Sequence, residues 1–168
     1  MLFLAYQIDR KRERLDEEAL QAYVCCRLRD RGVPAIPEPR RTIVFFDRET
    51  LAAKNTRNDL KVQAVSLNGS PLSVIIEVKW SDHPELSTAQ AEQLAQQYLL
   101  DNDLTHGIYL VGWCGKAGPW RTCALGARPT DRSSLDAWRQ ALENQAHLLQ
   151  ELHPSLNVET FLLDLGWK

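Results

Sequence analysis

An α/β domain with a mixed sheet is the fold class this sequence predicts, and three observations carry the prediction. Apolar residues recur at helical spacing in three segments, and in five others they alternate or run continuously with β-branched and aromatic residues, as strands do. Asn68-Gly69-Ser70-Pro71 is a strong turn signal that pairs two of those strands antiparallel. The segments fall in the order αβββαβαβ, which implies a mixed sheet covered by helices.

Leu15 to about Arg31 reads as an amphipathic first helix, with Leu15, Ala19, Leu20, Ala22, Tyr23, Cys26 and Leu28 near helical spacing and Gly32 and Pro34 ending it. Pro34, Pro37 and Pro39 forbid regular structure through a loop, after which Thr42 to Phe46 is β-branched and aromatic enough for a strand. Leu60 to Leu67 gives a second strand and Leu72 to Lys79 a third. Val74-Ile75-Ile76 is apolar without alternation, which suits a central strand covered on both faces with its charge at an exposed end.

Thr88 to Leu100 carries Ala91, Leu94, Ala95, Tyr98 and Leu99 on one helical stripe, with Thr88 as its cap. Gly107 to Trp113 is another buried strand. A helix from Ser134 to Glu151 with Leu135, Trp138, Leu142 and Leu149 inward, then a strand from Val158 to Leu163, complete the chain. At 168 residues this is the size of one domain, 1–168, with a core over about 15–113 and a helix-strand extension over about 133–165.

Composition narrows the function classes. The net charge of −2 argues against broad non-specific nucleic-acid binding, which needs many well-placed cations, although positive charge leans to the N-terminal part. Cys25, Cys26, Cys114 and Cys123 form no CxxC pair and no Cys/His cluster, so they read as free thiols in a reducing cytoplasm. No apolar run reaches the length of a membrane span, and no membrane partner is expected. His83, His106, His147 and His153 show no HxH or HExxH spacing and are read as surface or capping residues.

Glu77-Val78-Lys79 carries the chemistry. Side chains alternate across a strand, so Glu77 and Lys79 share one face while Val78 points to the other. An acid two residues before a lysine also occurs at Asp9-Arg10-Lys11 and Asp59-Leu60-Lys61, but only Glu77-Val78-Lys79 ends an apolar strand with another acid one strand earlier. That acid is Asp59, and the hairpin brings the start of its strand toward the end of the next. Two carboxylates and a lysine make an oxygen-rich site suited to magnesium and to phosphate chemistry. The plain alternative is an exposed ion pair beside a turn aspartate, worth little in stability.

Through Asp59, Ile76-Glu77-Val78-Lys79 and the αβββαβ order, the chain resembles the PD-(D/E)xK, or restriction-endonuclease-like, nuclease superfamily over residues 15–113. Arg57-x-Asp59, Gln93-Leu94 with Tyr98-Leu99, and Gly107 to Trp113 also look like a nuclease module of larger bacterial proteins. The resemblance implies a restriction-endonuclease-like core that hydrolyses phosphodiester bonds, in DNA before RNA, with magnesium as cofactor and manganese as substitute. It implies metal ligation by Asp59, Glu77 and the Val78 carbonyl, and Lys79 beside the attacking water. Gln93 matches a glutamine of the following helix, Arg57 is placed to contact a phosphate, and Glu17 or Glu18 is an additional acid. Asn58 stands where the family name has proline, a position that varies widely. Relatives are often fused to larger chains, ATPases of bacterial defence systems among them, and a homo-oligomer is left open. The rival expectation is a non-catalytic nucleic-acid-binding or assembly module that keeps the fold.

Overall fold

A computed structural model describes residues 17–32, 44–51, 57–65, 69–81, 83–113 and 132–164. Helix α1 spans Glu17–Arg27 and continues through a wider turn over Leu28–Gly32. Strands β1 (Val44–Leu51), β2 (Arg57–Val65) and β3 (Pro71–Trp80) follow, then α2 (Gln90–Leu99), β4 (His106–Trp113), α3 (Arg132–Leu152) and β5 (Asn157–Asp164). The five strands lie in chain order in one sheet, β1, β2 and β3 antiparallel and β4 and β5 parallel. The mixed α/β sheet and the element order αβββαβαβ therefore agree with the sequence reading.

The pleat of β3 divides the core in two. Ile76, Val78 and Trp80 point to one face and pack with Leu20, Val24 and Cys25 of α1 and Leu60 of β2. Ile75 points to the other, where Leu94, Ala95, Tyr98 and Leu99 of α2, Trp138, Leu142 and Ala146 of α3, and Tyr109, Val111 and Val158 of the parallel strands meet. Helix α1 covers one face, and α2 and α3 cover the other. Two glycines of β4 let the helices sit close. A Cβ at Gly112 would come within 2.7 Å of Leu20 in α1, and one at Gly107 within 2.9 Å of Leu99 in α2.

Several boundaries differ from the sequence reading. β1 runs on through the charged Asp47-Arg48 to Leu51, because pairing with β2 down to Leu51↔Arg57 satisfies its backbone whatever the side chains. Thr88 does not cap α2: its hydroxyl reaches back to the Glu85 carbonyl at 3.5 Å, and Ala89 in the cap position has helical backbone angles. α2 winds as a π-helix, and Leu100 N–H closes it on the carbonyls of Ala95 and Gln96. Asp103, at φ 55°, ends the helical turn that follows. Gln90 lies on the buried side with Leu94 and Tyr98, four and eight residues on along the same face. Gln90 donates to Thr160 Oγ1 on β5 at 2.9 Å.

Trp138 is buried as expected, Trp113 is half-buried, and Trp120 lies outside the described residues. Cys25 and Cys26 are free thiols; Cys114 and Cys123 lie outside the described residues. Among the described residues no helix is long and apolar enough to cross a membrane.

Candidate active site at the parting of β2 and β3

The register of the β2–β3 hairpin builds the site. Its ladder runs from Val65↔Pro71 to Leu60↔Ile76, and one further step would set Asp59 opposite Glu77 on the same face of the sheet. At that step the ladder ends. Val78 N–H donates to the Asp59 carboxylate Oδ2 at 2.7 Å, so a side chain replaces a rung and the two strands part. β2 stays paired with β1 down to Arg57, and β3 stays paired with β4 through Glu77↔Tyr109, Lys79↔Val111 and Trp80↔Gly112. Each strand is thus held on its outer side where the pair opens.

Glu77 and Lys79 do not sit at an exposed strand end, as the sequence reading expects. They are 1% and 5% exposed, because β3 from Ile75 to Trp80 is covered on both faces. Their side chains share a face, and Lys79 Nζ meets Glu77 Oε1 at 2.7 Å. A third acid joins them. Helix α1 packs on the opposite face, yet Glu17, at its start, places Oε1 3.2 Å from Lys79 Nζ. Of the two acids left open by the sequence, Glu17 faces the site, while Glu18 is exposed and its backbone carbonyl accepts from Arg48. His83, in the connection after β3, places Nε2 3.8 Å from Glu17 Oε2.

Three carboxylates therefore surround one ammonium, and their acidities reflect it. Burial and the neighbouring Asp59 push the Glu77 carboxyl up to about 8, against the pull of Lys79. Burial pushes Asp59 up to about 6, although the Val78 N–H bond and Lys79 oppose it. Burial alone would lower the Lys79 ammonium, but Glu77, Asp59 and Glu17 together raise it above the ordinary lysine range. The Tyr98 hydroxyl is held above its usual range by burial and then by the charges of Glu77 and Asp59, which marks Tyr98 of α2 as a neighbour of the carboxylates.

Of the other residues singled out in the sequence, Gln93 is not joined to the cluster. Its amide donates to Glu85 Oε2 at 2.8 Å, and it makes no hydrogen bond with Asp59, Glu77 or Lys79. The turn Glu85–Ala89 ahead of α2 supplies that partner, a contact that helix periodicity does not reveal. Arg57 opens β2 opposite Leu51, and its side chain lies outside the described residues. Tyr98 is buried as the sequence reading has it, but beside charge as well as apolar neighbours. His83 carries no signal in sequence, since one histidine four residues past Lys79 matches no ligand spacing.

A divalent cation fits the donors present. Glu77 Oε2 is buried without a hydrogen-bond partner, and carboxylate oxygens are what a hard cation takes. Among the described residues no three His, Cys, Asp or Glu side chains are arranged to cage an ion alone. A cation would complete its shell with backbone, water and substrate oxygens, as magnesium prefers to do.

The raised acids fix a pH dependence for the metal-free protein. A carboxyl whose folded pKa lies above its unfolded value binds more protons in the folded state, so stability is lost as pH rises through the folded pKa. Unfolding free energy is expected to fall by a few kcal/mol, on the order of the shifts involved, between about pH 4 and about pH 8, and then to level. Urea titrations across that range in chelator check it, and a curve rising through the same window would contradict the burial of these acids.

No protein-family model, no curated protein and no solved structure matches this chain.

Proposed function

We propose that this chain is a magnesium-dependent phosphodiesterase of the PD-(D/E)xK, restriction-endonuclease-like type, hydrolysing nucleic acid and DNA before RNA. One observation carries the reading: Asp59, Glu77 and Lys79 converge where β2 and β3 part, with an unpartnered Glu77 oxygen and more carboxylates than cations. A buried excess of negative charge is costly unless protons or a cation offset it. The raised acidities of Asp59 and Glu77 are the proton answer, and a divalent ion is the other.

Asp59 and Glu77 hold the ion, together with the Val78 carbonyl between Glu77 and Lys79. When bound, the ion supplies Lewis-acid charge to a phosphate oxygen and makes a coordinated water more acidic. Lys79 stays protonated because three carboxylates surround it. Its part is therefore to donate to a phosphate oxygen and offset charge developing there, not to take a proton from water. The Val78 N–H fixes the Asp59 carboxylate before substrate arrives, which keeps the ligand geometry from being lost to rotation.

Incubating the protein with plasmid, linear duplex, single-stranded DNA and RNA tests the reading directly. Cleavage with magnesium or manganese that stops in excess chelator is the expected result. Cleavage that persists in chelator removes the mechanism, and tight DNA binding without cleavage under any metal favours a binding or assembly module instead.

A further inference from the structure

We infer that His83 is a positioning residue of this site, holding Glu17 and through it the Lys79 ammonium. The consequence for turnover rests on the phosphodiesterase reading, whereas the consequence for Lys79 does not. His83 is tied into the connection after β3 by its own backbone: His83 N–H donates to the Trp80 carbonyl at 3.0 Å, and the His83 carbonyl accepts from Leu86 at 3.1 Å. Its ring is tied as well. Glu85 N–H donates to Nδ1 at 3.2 Å. An Nδ1 that accepts leaves the neutral ring's proton on Nε2, and that N–H faces Glu17 Oε2 across 3.8 Å.

Glu17 divides its two oxygens between partners, with Oε1 3.2 Å from Lys79 Nζ and Oε2 toward His83. Lys79 is in turn divided between Glu17 and Glu77, the latter at 2.7 Å. At 26% exposure the Glu17 side chain is open to water, so a long carboxylate there has rotamers that leave the cluster. A residue fixed by three hydrogen bonds, two of its main chain and one of its ring, is the group that holds it in place. With Glu17 held, Lys79 sits between two carboxylates; with Glu17 released, Glu77 is its one remaining ion-pair partner, and the ammonium is free to turn away from where a phosphate oxygen must meet it.

Isosteric substitutions separate the ring's two nitrogens. His83→Asn keeps an acceptor where Nδ1 accepts from Glu85 but loses the donor facing Glu17, whereas His83→Gln carries an amide N–H toward the Nε2 position. Two readouts follow: the proton–nitrogen NMR signal of the Lys79 ammonium, and cleavage kinetics. The Lys79 signal is expected to shift or broaden in His83→Asn and to return toward wild type in His83→Gln. kcat is expected to fall about tenfold in His83→Asn, with KM within about twofold and His83→Gln within about threefold of wild type, because positioning loss acts on the reacting geometry. A wild type that cuts nothing sinks the phosphodiesterase reading and leaves the Lys79 signal to decide the role of His83. An identical Lys79 signal in all three proteins overturns that role whatever the protein cuts, and so does His83→Asn cutting as fast as wild type.

Discussion

Glu77→Gln is expected to make the metal-free protein more stable and to abolish cleavage. The two halves of that result come from one imbalance: three carboxylates, Glu17, Asp59 and Glu77, share the single ammonium of Lys79. Glutamine keeps the shape of Glu77, removes a buried charge raised by its neighbour Asp59, and leaves Lys79 with Glu17. Above about pH 8 the gain should be on the order of 1–2 kcal/mol, a few degrees in melting temperature for a chain of this size. Magnesium should raise the wild-type melting temperature, since it binds only the folded state, and should do little for the variant. Cleavage should fall on the order of a thousandfold, because a ligand of the ion is gone. If the Glu77–Lys79 contact were only a structural bridge, breaking it would cost about 3–5 kcal/mol in the buried setting, with no response to magnesium in either protein. Thermal melts with and without magnesium, beside a cleavage assay, distinguish the two.

The sheet was legible in sequence because its signals are local. Asn68-Gly69 and the apolar run Val74-Ile75-Ile76 specify a hairpin with one central strand, and that hairpin alone brings Asp59 toward Glu77. The alternation along β3 likewise places Glu77 and Lys79 on one face without further information. What the sequence could not supply was the covering of that face. The burial of Glu77 and Lys79 depends on α1 and α2 closing over both sides of β3, a tertiary fact with no periodic trace in the triplet itself. Glu17 rather than Glu18 joins the cluster because of how α1 docks, with Leu20 seated over Gly112, and helix rotation is set by that contact. Gln93 enters by resemblance and not by spacing, and the turn carrying Glu85 gives its amide a partner outside Asp59, Glu77 and Lys79.

Replacing Lys79 by methionine is expected to have the opposite effect on stability, and the contrast with Glu77→Gln is the strongest test of the charge imbalance. Methionine fills most of the lysine stem's volume, so the change is chiefly the loss of the ammonium. Glu77, 1% exposed, then lies beside Asp59 with no cation against it. Leaving a buried charge without its partner costs about 3–5 kcal/mol, and that cost should grow as pH rises past about 8, since losing Lys79, which lowers both acids, keeps Glu77 protonated to a higher pH than in wild type. At about pH 5 the raised carboxyls are protonated in the folded state, so most of the penalty should vanish there. Magnesium should stabilise this variant at least as much as wild type, because the ion supplies the positive charge the lysine no longer provides. Cleavage should nonetheless be lost, since Lys79 is assigned to the phosphate and not to the ion. Urea unfolding of wild type and Lys79→Met at the two pH values, each with and without magnesium, reads all of these together. An equal loss of stability at both pH values would reduce Lys79 to a packing residue, and cleavage at the wild-type rate would take it out of the mechanism.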